Sequence, residues 1–199
     1  WRDTGVKLTG PVVQQVSDAF ADTLQSQQNN ASHTTLNSNG HSYNPHHSGT
    51  AQARIVATTP DNGNMMRLDL NAVTLAQENL WLTDAYFMPT RMYTQALINA
   101  ALAGVDVRLL VPRTSDIRWI GNVSRTQYRS LLDAGVRVFE WNGSMIHAKT
   151  AIVDGRWARV GSTNLNLSSW AINRELDVSI EDSATVARLT AVFADDLQH

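Results

Sequence analysis

Residues 145–164 hold the side chains in this sequence best suited to phosphorus chemistry: His147 and Lys149, then Asp154, then Gly161, Ser162 and Asn164. On an extended segment, positions 147 and 149 project to one face, so an imidazole and an ammonium meet the same ligand. Histidine, with an ordinary pKa of about 6.5, attacks phosphorus or moves protons near neutral pH. Lysine neutralises phosphoryl oxygens, and small residues such as Gly161 let backbone N–H groups approach them. Ser162 and Asn164 add donors for the same oxygens. The chemistry open to this set is cleavage or transfer of a phosphodiester through histidine, with no metal or other cofactor implied.

Several of these residues also have a plain structural reading. Asp154-Gly155 makes a good hairpin turn between Ile152-Val153 and Trp157-Ala158, and for Asp154 structure outweighs catalysis. Ser162 and Asn164 suit a turn after a strand, and Gly161 is better explained by close backbone approach than by chemistry. Tyr86 follows a strand in a Tyr-Phe-Met-Pro loop, where it lines a substrate entrance or simply packs.

The elements that must position these groups alternate from residue 53 onward. Short strands are expected at Arg54 to Ala57 and Leu80 to Thr83, with a helix from Leu68 to Asn79 between them. A helix from Arg91 to Ala103 stops at Gly104, and one from Trp119 to Ala134 stops at Gly135. Val105 to Val111 is an apolar strand closed by Pro112. Further strands are expected at Val136 to Trp141, Ile146 to Val153, Ala158 to Gly161 and Leu176 to Ile180. This alternation favours an α/β fold with a mixed β-sheet flanked by helices on both faces.

Composition bounds the rest. With 199 residues, 43% of them hydrophobic, the chain suffices for one α/β domain with a full core. A net charge of −2 gives no global attraction to nucleic acid or anionic lipid. The absence of cysteine excludes disulfides and thiolate metal sites. No apolar run approaches the length of about 20 residues that a spanning helix needs, and no signal peptide is visible. Residues 25–53 are rich in Gln, Asn, Ser, His and Gly and read as a flexible polar linker. Its His33, His41, His46 and His47 read as solvated residues, with metal binding the weaker alternative. The arginines between Arg108 and Arg137 read mainly as a solvated helix face, and exposed Trp119-Ile120 or Phe87-Met88 are candidates for membrane contact.

The pattern H-x-K-x4-D-x6-G-S-x-N over residues 147–164 resembles the phospholipase D superfamily. Tyr86-Phe87-Met88-Pro89, the run Ala103 to Pro112, Ser115-Asp116, Ser124-Arg125, Tyr128 and Leu132 to Val136 resemble the second half of a bacterial cardiolipin synthase. That resemblance implies a phospholipase D-like fold and a two-step mechanism. One histidine attacks phosphorus to form a phosphohistidine, another protonates the leaving alkoxide, and an alcohol or water resolves the intermediate. It implies Lys149 on the non-bridging oxygens, His147 more as acid and base than as nucleophile, and Glu175 accepting the imidazole Nδ1–H. It implies transfer of a phosphatidyl group from phosphatidylglycerol to an alcohol acceptor at a bacterial cell membrane, with no nucleic acid partner. A phospholipase D or nuclease acting as a dimer of single motifs, and a non-catalytic remnant used for binding, are the alternatives.

An internal repeat adds to this. Arg2-Asp3 and the strand-like residues after it match Arg174-Glu175 and theirs. Phe20-Ala21-Asp22-Thr23-Leu24 matches Phe193-Ala194-Asp195-Asp196-Leu197. Residues 1–24 therefore read as the tail of a truncated first repeat and 54–199 as the second, catalytic one. Asp3 then stands where Glu175 stands in the complete copy. The fragment alone is expected to be inactive or weak, with the first half and any membrane anchor absent.

Overall fold

The computed structural model describes residues 1–30 and 49–199, leaving out the side chains of 28–30 and 118–124. His33, His41, His46 and His47 and the side chains of Trp119 and Ile120 therefore lie outside the described residues. The elements are α1 (Val12–Asn30), β1 (Gln52–Thr58), α2 (Asn64–Leu75), β2 (Asn79–Thr83), α3 (Arg91–Leu102), β3 (Asp106–Pro112), α4 (Arg118–Asp133), β4 (Arg137–Trp141), β5 (Thr150–Val153), β6 (Trp157–Gly161), α5 (Leu167–Ala171), β7 (Glu175–Glu181) and α6 (Ser183–Asp196). The strands form one sheet in the order β1-β7-β6-β5-β2-β3-β4. β2, β3 and β4 run parallel, and every other neighbouring pair is antiparallel. The mixed sheet expected from the sequence is present.

The pleat sorts the core into two layers. On β3, Val107, Leu109 and Val111 join the layer that holds Met65 and Val73 of α2 and Tyr93 and Leu97 of α3. Leu110 points the other way, into the layer with Ile152, Val160, Val178 and the α6 residues Val186, Leu189 and Phe193. Both faces of the sheet are thus covered. α3 and α4 end as expected. Gly104 and Gly135 both adopt φ 95, and the N–H groups of Val105 and Val136 return to the carbonyls of Ala100 and Leu131 at 3.1 and 3.0 Å.

Three local differences from expectation stand out, two of them with clear causes. α2 ends at Leu75 rather than near Asn79, because the Asp154 carboxylate takes the N–H groups of Gln77, Glu78 and Asn79. α1 continues to Asn30, six residues into the segment read as linker. The strand expected from Ile146 begins only at Thr150, since β6 pairs with Thr150–Val153 and no further. Residues before it pair instead with the amino-terminal segment, through a parallel bridge between Arg2 and Ile146. Among the described residues, no helix is long and apolar enough to cross a membrane.

Candidate active site

The amino-terminal segment builds one wall of the site. Arg2 N–H donates to the Met145 carbonyl at 3.0 Å, and His147 N–H donates to the Arg2 carbonyl at 2.7 Å. Arg2 is pinned from behind by Asp196 of α6, which its Nε meets at 2.9 Å. This places Asp3 beside the imidazole, with Oδ2 at 3.1 Å from His147 Nδ1. On the other side of the ring, Lys149 Nζ lies 2.8 Å from Nε2 and donates to the His147 carbonyl at 2.5 Å. A carboxylate only accepts and an ammonium only donates. The neutral tautomer with its proton on Nδ1 satisfies both contacts, leaving the Nε2 lone pair facing the ammonium. Trp1 stacks on the imidazole with centroids 4.6 Å apart, and Tyr86 meets it edge-on at 6.0 Å.

Burial lowers the pKa of Lys149 against the pull of four carboxylates, Asp84, Asp3, Glu175 and Asp116. For Asp3 the balance runs the other way. Burial works against its ionisation, but hydrogen bonds from His147 and the Thr4 N–H, with the charges of His147 and Lys149, outweigh it and hold the carboxyl below the usual range. His147, Lys149, Asp3, Gly161 and Ser162 line one cavity of about 350 Å³, whose remaining wall is largely apolar and includes Val6, Leu8, Ile55, Val160 and Leu176.

The turn after β6 is held from inside the protein. Arg159, fully buried, donates to the Thr163 carbonyl at 3.0 Å and to Asp177 at 2.9 Å. Its Nε lies 3.2 Å from Asp69 of α2, whose other oxygen accepts the Trp170 indole N–H at 2.9 Å. The Thr163 hydroxyl donates to Asp177 as well. A Cβ on Gly161 collides with the Asp177 carboxylate and backbone, so close approach does explain that glycine. Asp84, also fully buried, accepts from Leu165 N–H at 2.6 Å and from Tyr86 N–H at 2.8 Å. Burial pushes its carboxyl up to about 7. One carboxylate therefore ties the Tyr86 loop to the residue after Asn164.

The candidate residues separate accordingly. His147, Lys149, Gly161 and Ser162 share the cavity. Tyr86 faces His147, although it does not line that cavity. Glu175 is not the partner of the His147 Nδ1–H: Asp3 is, and Glu175 instead accepts from Ser162 Oγ at 2.5 Å and Asn173 Nδ2 at 3.1 Å. The cause is the bridge of Arg2 to Ile146, which delivers the acid from outside the motif. Asp154, grouped with the catalytic residues by its motif, lies beyond the far end of β5 from Lys149. Its residue adopts φ 50 in the hairpin turn, and its carboxylate accepts three backbone N–H groups at 2.8–3.0 Å. Burial works against ionisation there, yet those bonds hold the carboxyl below its ordinary range. Asn164 lies outside the cavity lining, with Nδ2 at 3.5 Å from Ser169 Oγ and Oδ1 buried without a hydrogen-bond partner. Arg159, Asp177 and Asp84 went unremarked in the sequence. Their one signal is a charge set inside apolar strand text, as in Ala158-Arg159-Val160 and Asp177-Val178.

Comparison with known proteins finds relatives in sequence and in fold. Residues 70–197 match the family model described as cardiolipin synthase, PLD-like domain. The chain is 32% identical over its whole length to a cardiolipin synthase of Alkalihalophilus pseudofirmus, covering 40% of that protein. It is also 32% identical over its whole length to cardiolipin synthase 2 of Bacillus anthracis, covering 38% of it. It thus spans about two fifths of the length of these curated relatives. Among solved structures, Nuc from Salmonella typhimurium, a phospholipase D family member, superposes with a TM-score of 0.63 at 21% identity, over 73% of this chain and 94% of Nuc. Phosphatidylserine synthase from Haemophilus influenzae superposes with a TM-score of 0.60 at 15% identity, over 74% of this chain and 38% of that one. By the match over most of its length, the chain belongs to the family of cardiolipin synthase, PLD-like domains.

Proposed function

We propose that this chain is the carboxy-terminal catalytic half of a phosphatidyltransferase of the cardiolipin synthase type. In this reading Lys149 neutralises the non-bridging oxygens of a phosphatidyl group. His147 serves as acid and base through Nε2, and Asp3 fixes its tautomer and stabilises the imidazolium. The nucleophilic histidine belongs to a first half that ends in residues 1–24. The observation that carries the reading is the line Asp3–His147–Lys149, hydrogen-bonded end to end and opening on a cavity with mostly apolar walls. A lipid phosphodiester matches both its charged end and its apolar sides, whereas the overall charge of −2 does nothing for nucleic acid.

The internal repeat supports a crossed arrangement of acids. Asp3 belongs by sequence to the first copy yet serves the histidine of the second. Glu175, its counterpart, sits half-exposed at the start of β7, and by the symmetry of the repeat it serves the histidine of the first. The donor is then phosphatidylglycerol, the acceptor an alcohol, and the place of action the surface of a bacterial membrane. The test is incubation of the complete protein with phosphatidylglycerol vesicles, wild type against His147→Ala. Wild type is expected to release glycerol and form diphosphatidylglycerol, with the variant at background. Unchanged product in the variant overturns the assignment, and cleavage of bare DNA at low salt moves it to the nucleases.

A further inference from the structure

The cavity beside His147 and Lys149 has a floor that the phosphoryl chemistry leaves unused. Ile55 of β1, Val178 of β7 and Val160 of β6 are register partners, so their side chains stand in one row across three strands, on the face that carries α6. Neighbouring strands lie about 4.8 Å apart, which makes the row about 10 Å long. One end adjoins Gly161, whose N–H donates to the Lys149 carbonyl at 3.2 Å, and the other is β1, the edge strand of the sheet. Leu176, two residues before Val178, widens the row on the same face and is 36% exposed. Val6 and Leu8 line the row from the amino-terminal segment. Among the described residues, no hydrogen bond ties Gly5, Val6, Lys7 or Leu8 to the sheet. A second cavity of about 800 Å³ also borders Gly5, Val6 and Leu8, so this segment can shift over the row without losing a backbone bond.

A lipid phosphodiester seated against Lys149 has its acyl chains only a glycerol unit away. Drawing that phosphate out of a bilayer brings the first methylenes of a chain with it, and each methylene left in water weakens binding about fourfold. We propose that the row Ile55–Val178–Val160, with Leu176, receives those methylenes from one acyl chain of the donor lipid. The row then replaces the bilayer for the part of the chain that leaves it. The inference rests on the phosphatidyltransferase reading and extends donor recognition from the headgroup to the chain. The occupant follows from the change of character along one cavity. An imidazole, an ammonium and a carboxylate stand at one end, and the side chains of the row carry no hydrogen-bonding atom. The backbone beneath the row is already paired within the sheet, so a polar ligand gains nothing there.

The test gives the complete protein two phosphatidylglycerols at equal concentration, dissolved as monomers, one with acetyl and one with hexanoyl chains. Their headgroup glycerols carry different isotopic labels, and mass spectrometry of the released glycerol gives the ratio of the two turnovers. Wild type is expected to favour the hexanoyl donor by about a hundredfold, the scale of the methylenes that one chain adds. Ile55→Ser and Leu176→Ser, at positions that are not fully buried, are each expected to cut that ratio about tenfold. The readout is a ratio within one reaction, so a general loss of activity leaves it unchanged. A ratio within twofold of wild type in both variants means that the row packs against protein instead, and overturns the proposal. Turnover of phosphatidylglycerol in vesicles, with a wild-type chain preference below tenfold or no release from the hexanoyl donor, overturns this proposal alone. If wild type releases glycerol from neither the dissolved donors nor the vesicles, the parent reading falls first and this one with it.

Discussion

Asp3 and His147 lie 144 positions apart in the chain and meet at 3.1 Å, carboxylate to Nδ1. The contact is made possible by two backbone hydrogen bonds that clamp Arg2 between Met145 and His147. Nothing within the motif supplies this acid. Asp3→Asn in the complete protein removes the charge that orients the imidazole and stabilises its protonated form. Turnover of phosphatidylglycerol is expected to fall by up to about ten-thousandfold, the loss seen when such a carboxylate is neutralised in a hydrolase triad. Circular dichroism should be unchanged, since Asp3 is half-exposed.

Asp154→Ala tests the division between motif and chemistry. Three N–H groups at the β2 entrance lose their acceptor, at a cost of about 1–3 kcal/mol in urea unfolding. Turnover per folded molecule should stay within about twofold of wild type. A loss of a hundredfold with normal stability puts the residue back among the reacting groups.

Arg159→Met leaves Asp69 and Asp177 buried without their cation. Breaking one side of a buried ion pair costs about 3–5 kcal/mol, and the denaturant midpoint should fall to match. The double variant Arg159→Met with Asp177→Asn removes one stranded charge and should recover part of that loss.

Asp84 sets a pH dependence. Its folded pKa, raised to about 7 by burial against the hydrogen bonds of Leu165 and Tyr86, exceeds the ordinary carboxyl value of 3.8. Between those values the unfolded chain gives up a proton that the folded chain keeps. Stability from this group is complete below about pH 4 and is lost as pH rises to about 7. Melting curves of wild type and Asp84→Asn across that window should shift by a few kcal/mol in favour of the variant, which carries no such slope. Parallel curves refute the assignment.

The parts of the fold most legible in the sequence were those with local causes. Gly104 and Gly135 marked helix ends because a left-handed residue is needed there, and the apolar run from Val105 closed by Pro112 marked β3. His147 and Lys149 were legible as a pair, though their contact does not come from a shared strand as the spacing suggested. It comes from an irregular segment braced by Arg2. The partner of the imidazole was misassigned because Glu175 is near in sequence and chemically suitable, while Asp3 reaches the ring only through a tertiary bridge. The same holds for Asp84 and Arg159. Each acts by joining segments far apart in sequence, and no spacing rule reports such a junction.

The clamp on Arg2 makes the site separable from the sheet. The first nine residues belong to no strand of that sheet, and near the site they are held by one bridge, the Arg2–Asp196 ion pair and the contacts of Asp3 and Trp1 with His147. Fraying of this short stretch leaves the seven strands in place and the imidazole without its acid. Chemistry is therefore extinguished by a detachment far smaller than unfolding, and hydrogen exchange at the His147 amide would register it before any change in the core.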